Sequence, residues 1–307
     1  MTALLLVPAL LLDAALGEPR FLWSRAPHPA VLMGRAVSFV DLRLNAGPSR
    51  KLKGVVAMVG LAVLAIGVGW LIKAVPDYGL LEIIVAAMLL AQKSLVQHVQ
   101  AVADALRLSI GDGRRAVAMI VGRDTGQMDK CAVARGAVES AAENFSDGVI
   151  APALWFLIGG LPGLMFYKIT NTADSMIGHR TPRYEQFGWA AARLDDVLNW
   201  VPARLTALII AVAGGRWDAG PVIMRDAGLH RSPNAGWPEA AMAVVLDISL
   251  SGPRSYNGVM TDFAYVFPEG RRDAGPEDID ASVAVLWQGW LGFLGAVAML
   301  AVLGWLF

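Results

Sequence analysis

Two stretches of this chain carry no charge over the length a lipid bilayer demands. Residues 54–72 (GVVAMVGLAVLAIGVGWLI) and 281–307 lack any Asp, Glu, Lys or Arg. Each is near or above the ~20 residues that a helix needs to cross a hydrocarbon core. Trp70 near one end of the first run, and Trp287, Trp290 and Trp305 in the second, suit the aromatic belts of a membrane–water interface. Composition agrees: 56% of residues are hydrophobic and 17% charged, where a soluble domain carries about 25% charged residues. Acidic and basic residues both number 26, so no net charge recruits nucleic acid. The single cysteine, Cys131, excludes an intramolecular disulfide.

The rest of the chain arranges itself around these runs. The N-terminal stretch MTALLLVPALLLDAALGEPR lacks a basic leader region and reads as a retained first helix. The segment 17–53 is polar and rich in Arg and Lys, a loop that the positive-inside rule places in the cytoplasm. After 54–72 the chain turns at VPDYG and returns as a helix over about 80–105. Between 106 and 147 it reads as ordinary cytoplasmic protein, with GDGRR a turn and VGRDTGQMD a Gly-rich loop. Asp129 caps a predicted helix over 130–143. On that helix Glu139 and Glu143 share a face, with Arg135 four residues before Glu139 as its simplest partner.

An uncharged run over 148–167 is interrupted by GGLPG. Broken backbone at membrane depth survives only inside protein or beside water, so this segment is predicted to be re-entrant or a pair of short helices. The apolar stretch 205–215 is too short to cross alone. These features define the expected fold: an all-α, polytopic integral membrane protein of one domain, 1–307, with broken or re-entrant helices and cytoplasmic-facing polar loops.

Polar residues crowd against the apolar runs. ENFSDG places Glu143, Asn144, Ser146 and Asp147 at the brink of 148–167. In KITNTADSMIG, read as a helix, Lys168, Asn171, Asp174, Ser175 and Gly178 fall on one face, which lipid would not tolerate. Asn-x-x-Asp occurs twice, at Asn144/Asp147 and Asn171/Asp174, and carboxylate with amide oxygen is a hard ligand set suited to Mg²⁺. The alternative for Asp147 is a cap on a helix starting near Gly148. ARLDDVLNW sets Asp195 and Asp196 beside Asn199, with Arg193 able to pair with either acid. SPNAGWPEAAMA reads as a loop entering a helix, Pro238 at its first position and Glu239 in its first turn. Arg123 lies between glycines in VGRDTG, with Asp124 or Asp129 as its plain salt-bridge partner. No HExxH, P-loop, GxGxxG or GxSxG pattern occurs.

Several long stretches together resemble the CobD/CbiB family of cobalamin biosynthesis. They are LLLDAALGEPR, PHPAVLMGR, SLVQHVQAVADAL, MIVGRDTGQMD, ARGAVESAAENFSDGVIAPALWF, YKITNTADSMIGHRTPRYEQFGWAAARLDDVLNWVPARLTAL and SPNAGWPEAAMA. The likeness is loosest over 250–280. It implies an ATP- and Mg²⁺-dependent amide synthase in the bacterial inner membrane. Such an enzyme joins aminopropanol, or aminopropanol phosphate, to the free propionate of adenosylcobyric acid, giving adenosylcobinamide or its phosphate. An amine attacks a carboxylate only once its oxygen has become a leaving group, which ATP supplies through an acyl-phosphate or acyl-adenylate. The resemblance then implies a site facing the cytoplasm. Its catalytic set is Glu139, Glu143, Asn144, Asp147, Lys168, Asn171, Asp174, Arg193, Asp195, Asp196 and Asn199. Glu143, Asp147 and Asp174 are its expected metal ligands. His28, Arg35, Arg123, Asp124, Ser175, Asn234, Trp237 and Glu239 are expected to contact substrate. Expected partners are the corrinoid, the amine and membrane lipid; a homo-oligomer or association with other corrinoid enzymes stays open. Two rival readings remain, a transporter whose polar groups line a path and a non-catalytic membrane scaffold.

Overall fold

A computed structural model of the chain describes residues 1–19, 23–256 and 258–306. It is 71% helical with almost no sheet, an all-α polytopic membrane protein. Four helical stretches are long and apolar enough to cross a membrane: Arg50–Lys73, Leu80–Leu108, Lys130–Ile177 and Pro276–Leu306. The pair Trp189–Leu198 and Trp200–Ala213 makes a fifth if taken as one broken span.

The described residues cluster into two compact units, Met1–Ala91, Ala151–Asn199 and Ala296–Phe307 forming the first and Gln92–Ile150 and Trp200–Gly295 the second. In the first, α1 (Thr2–Leu16) packs on α4 (Leu80–Leu89) and on α8 (Ala151–Ile177). Helices α2 (Pro29–Leu44), α3 (Arg50–Lys73) and α9 (Trp189–Leu198) also pack on α8. Leu6, Leu10, Phe156, Leu161, Leu164, Tyr167 and Phe187 are fully buried there. In the second, α7 (Lys130–Phe145) packs on α5 (Gln92–Leu108), α6 (Ile110–Val117) and α12 (Gly236–Leu246). Helix α12 also packs on α10 (Trp200–Ala213) and α11 (Gly220–Asp226). Phe145, Ile150, Ile210, Met242 and Ile248 fill that core. Two short antiparallel ribbons follow: β1 (Leu250–Ser251) pairs β4 (Tyr265–Val266), and β2 (Arg254–Tyr256) pairs β3 (Val259–Thr261). The last helix, α13, is Pro276–Leu306.

Local chemistry explains most boundaries. Asp129 accepts the Ala132 N–H at 2.7 Å and starts α7, as its sequence predicts. The GGLPG break is real: Gly160 takes φ 61°, ψ −156° inside α8, a conformation glycine reaches without steric cost. Other expectations need correction. The polar segment 17–53 holds a full helix, α2, because Pro29 occupies its first position and His28 caps it, Nδ1 accepting from Ala30 N–H at 3.1 Å. GDGRR is helical rather than a turn, since Ser109 Oγ accepts the Asp112 N–H at 3.0 Å and starts α6 ahead of both glycines. The return helix over 80–105 is two helices, separated where Leu90 is extended. No helix begins near Gly148: α7 runs through a π-helical turn, Ser146–Ile150, straight into α8, so Asp147 lies inside continuous helix and caps nothing. Helix α12 begins at Gly236, which puts Pro238 third.

Candidate functional site

In the second unit, an acid on a membrane-adjacent helix must find positive partners or lose its charge. Glu139 finds three donors. Its Oε2 meets Arg123 Nη2 at 2.5 Å and Arg254 Nη2 at 3.3 Å, and its Oε1 accepts the Ser251 N–H at 2.6 Å. Ser251 reaches it with φ 64°, an uncommon left-handed conformation for a residue with a side chain. Arg254 Nη2 also donates to Ser251 Oγ at 2.9 Å. All three ionic side chains are nearly buried. Gly136 makes the approach feasible, because a Cβ there would stand 2.8 Å from Arg123 Nη2. The expected partner Arg135 is not the one used. The i, i+4 reading lost to long-range cations, and Arg123 likewise pairs with Glu139 rather than with Asp124 or Asp129. Asp124 instead ties its loop to the β2–β3 ribbon, accepting from Ser255 Oγ and the Gly258 N–H, each at 2.7 Å.

Glu239 and His230 extend this cluster. Glu239 is buried, with Oε1 3.6 Å from His230 Nε2 and Oε2 without a hydrogen-bond partner. His230 Nδ1 accepts the Ser232 N–H at 3.0 Å, which leaves the ring proton on Nε2, towards Glu239. Burial first, and then Arg254, hold His230 down to about 4, so it is neutral at pH 7. Burial, reinforced by the charges of Glu139 and Glu143, pushes the Glu239 carboxyl well above the ordinary range. Glu143 differs from both. It is exposed, yet Arg254, Glu139, Arg231 and Arg123 all lie within electrostatic reach of it. Asn144 donates to Ser140 O at 2.8 Å and to Ser140 Oγ at 3.0 Å. Asn234 and Trp237 sit together around Arg204, which donates to Asn234 Oδ1 at 2.8 Å and stacks 4.5 Å from the Trp237 ring.

The first unit carries a cluster of another kind. Asp195 accepts from Asn199 Nδ2 at 2.9 Å and from Asn171 Nδ2 at 3.4 Å. Buried Asn199 is itself held by the Tyr167 hydroxyl at 3.0 Å. Asp174 and Asp196 are close enough to Asp195 to interact electrostatically, and Arg193 reaches Asp196 at 3.4 Å. Lys168 and His28 lie within electrostatic reach of each other, and burial pushes the His28 imidazole down. Ser175 donates to Asn171 O, an ordinary bond along the helix, and Arg35 is exposed on α2. Three acids are thus gathered mainly around neutral amides. Among the described residues, however, no three His, Cys, Asp or Glu side chains form a metal-holding group. Of the expected metal ligands, Glu143 and Asp147 belong to the second unit and Asp174 to the first.

Sequence reasoning missed Arg254, His230, Arg204, Ser251 and Tyr167. Arg254 lies where the resemblance is loosest, and nothing local marks it as the partner of an acid so far back in the chain. His230, one of four histidines, belongs to no motif; its only signal was a place four residues before Asn234.

A protein-family model described as "CobD/Cbib protein" matches residues 6–286. The chain is 49% identical over 317 residues to a protein of Sinorhizobium sp named "Cobalamin biosynthesis protein CobD", covering 97% of this chain and 98% of that one. Proteins of the same name from Brucella suis biovar 1 (strain 1330) and Rhodobacter capsulatus are 47% and 44% identical. The alignments cover 96% of both chains in the first case and 98% in the second. No solved structure matches the chain.

Proposed function

The chain belongs to the CobD/Cbib family of cobalamin biosynthesis proteins, and from that premise we propose that it is an amide synthase of the pathway. In this reading it joins aminopropanol or aminopropanol phosphate to the free propionate of adenosylcobyric acid, at the cytoplasmic face of the bacterial inner membrane. The observation that carries the reading is the cluster around Glu139 and Glu239, where buried acids, arginines and a neutral histidine meet the accessible carboxylate of Glu143. A structural ion pair alone would not keep an open carboxylate within reach of three arginines.

The chain's own groups take distinct parts. Glu139 is fully engaged and acts as the post that orients Arg123 and Arg254. Those guanidiniums present planar donors suited to a carboxylate or phosphate, and the buried Nε of each has no protein partner. Glu143, open to solvent among cations, suits the incoming amine as a counter-charge and proton acceptor. Burial favours the protonated form of Glu239, which can donate a hydrogen bond from Oε2. In the first unit no three acids among the described residues hold a metal by themselves, and Asn171 and Asn199 turn N–H donors to Asp195. Asp174 or Asp196 would therefore supply the one or two carboxylates that Mg²⁺ needs when phosphate and water complete its shell. Mg²⁺–ATP would supply the leaving group that a free propionate lacks. In the second unit, Asp147 is a separate acid proposed to engage Mg²⁺.

The test is direct. Membranes containing the protein are incubated with adenosylcobyric acid, ATP, Mg²⁺ and each amine separately, and the corrinoid is followed by mass spectrometry. The expected result is a mass gain equal to one amine less water, with stoichiometric ADP or AMP. Corrinoid movement across sealed vesicles with no new amide and no nucleotide consumed would overturn the synthase in favour of a transporter, the reading that the break at Gly160 supports.

A further inference from the structure

The first unit has an apolar groove away from its acid–amide cluster. One wall is α3 from Val55 to Ile66, and the other is Phe166 of α8 with Ala190 and Leu194 of α9. Its volume is ≈ 330 Å³, and almost all its lining is carbon. Val59 and Val63 on its wall are 58% and 65% exposed, within a segment apolar enough to span a membrane. A groove of this kind is filled by hydrocarbon. From Val55 to Ile66 the helix rises roughly 16 Å at ~1.5 Å per residue. That is the depth of one leaflet, half of the ~30 Å hydrocarbon core.

Charge decides which hydrocarbon. Lys51 lies one turn before Val55 on the same face, and its Nζ stands 4.0 Å over the Trp189 ring, next to Ala190 of the groove. Arg50 and Lys53 flank it, engaging only the carbonyl oxygens of Pro182 and Ala46, at 3.4 and 2.7 Å. Among the described residues none of these three cations forms a salt bridge. A cationic mouth over an aromatic ring, opening on an apolar groove one leaflet deep, matches a single chemistry. We propose that the groove holds one acyl chain of an anionic phospholipid, with the headgroup phosphate at Lys51 and Arg50.

The full-length protein in nanodiscs of equal phosphatidylglycerol and phosphatidylcholine is released into detergent, and native mass spectrometry reads the retained lipid. One phosphatidylglycerol per chain is expected. Lys51→Gln should reduce the preference for phosphatidylglycerol about fivefold, the weight of one basic residue near an anionic surface. Ala62→Trp, or Val63→Trp if the first variant does not fold, fills the groove and should abolish retention while the circular dichroism stays that of the parent. Equal retention of both lipids, or phosphatidylglycerol retained undiminished by a folded tryptophan variant, would overturn the proposal. So would a dimer that Ala62→Trp dissociates, which would give the groove to a second copy of the chain.

Discussion

The two acidic clusters of this protein are neutralised by opposite means. Around Glu139 the partners are ions: two guanidiniums and one backbone N–H converge on a single carboxylate. Around Asp195 the closest partners are neutral, two asparagine amides braced by a tyrosine hydroxyl. A carboxylate held by guanidiniums has its counter-charge inside the protein, whereas one held by amides has hydrogen bonds but no counter-charge beside it. The first arrangement therefore builds a fixed scaffold that orients cations, and the second leaves crowded acids that a cation from outside would hold in their charged form. The amide synthesis proposed above, which brings together a carboxylate, a phosphate donor and a metal, would call on both kinds of cluster.

The largest effect should come from removing the ionic post. Glu139→Ala leaves Arg123 and Arg254 buried without their counter-charge, and breaking such a pair costs about 3–5 kcal/mol. Asp195→Ala removes hydrogen bonds to neutral amides and should cost about 1–3 kcal/mol. Denaturation in detergent, followed by circular dichroism, compares them directly; equal losses would erase the distinction between the clusters.

Next comes the metal. Asp174→Asn keeps volume and removes charge from the amide-held cluster, so the Mg²⁺ needed for half-maximal activity should rise by at least ~10–100-fold. Glu239→Gln, in the arginine-held cluster, should lower the rate without moving the Mg²⁺ requirement. An identical Mg²⁺ titration for Asp174→Asn and the parent would place the ion elsewhere. Asp147→Asn likewise keeps volume and removes charge, so its Mg²⁺ titration should shift before its Tm falls.

The smallest effect should be on the pH profile of stability. The folded pKa of His230, about 4, lies below its unfolded value near 6.5. The stability it lends is thus complete above pH 6.5 and is lost as pH falls towards 4. Glu239, raised when folded, works the other way, its contribution fading as pH rises past its unfolded value near 4.5. His230→Asn should accordingly flatten the fall in Tm between pH 6.5 and 4. An unchanged slope would mean that the imidazole is not held neutral by burial.

How much of this the sequence disclosed depended on distance along the chain. Signals within one or two turns were legible: the Asp129 cap, the GGLPG break, the polar face of Asn171 and Asp174, and the grouping of Asp195 with Asn199. The Arg193–Asp196 pair, three residues apart, was equally visible. Partners separated by a hundred residues were not. Arg135 offered itself to Glu139 by spacing, but the fold brings Arg123 and Arg254 in from other segments, and bidentate-capable donors at a buried carboxylate outweigh a surface i, i+4 pair worth about 0.3–0.5 kcal/mol. GDGRR misled for a related reason. Glycines signal a turn only when nothing upstream starts a helix, and Ser109 does so.

The bond from the Ser251 N–H to Glu139 joins residues 112 apart in the chain. Closing a loop of that length costs conformational entropy before any contact repays it, so this clasp belongs to the last steps of folding rather than the first. Glu139 and Arg123, only 16 residues apart, can meet early, and the pair then waits for Ser251 and Arg254 to arrive. A nascent chain would hold half of its charge cluster until the segment just before the final helix is made. Assembly of this charge cluster would therefore report that nearly the whole chain up to the final helix is in place.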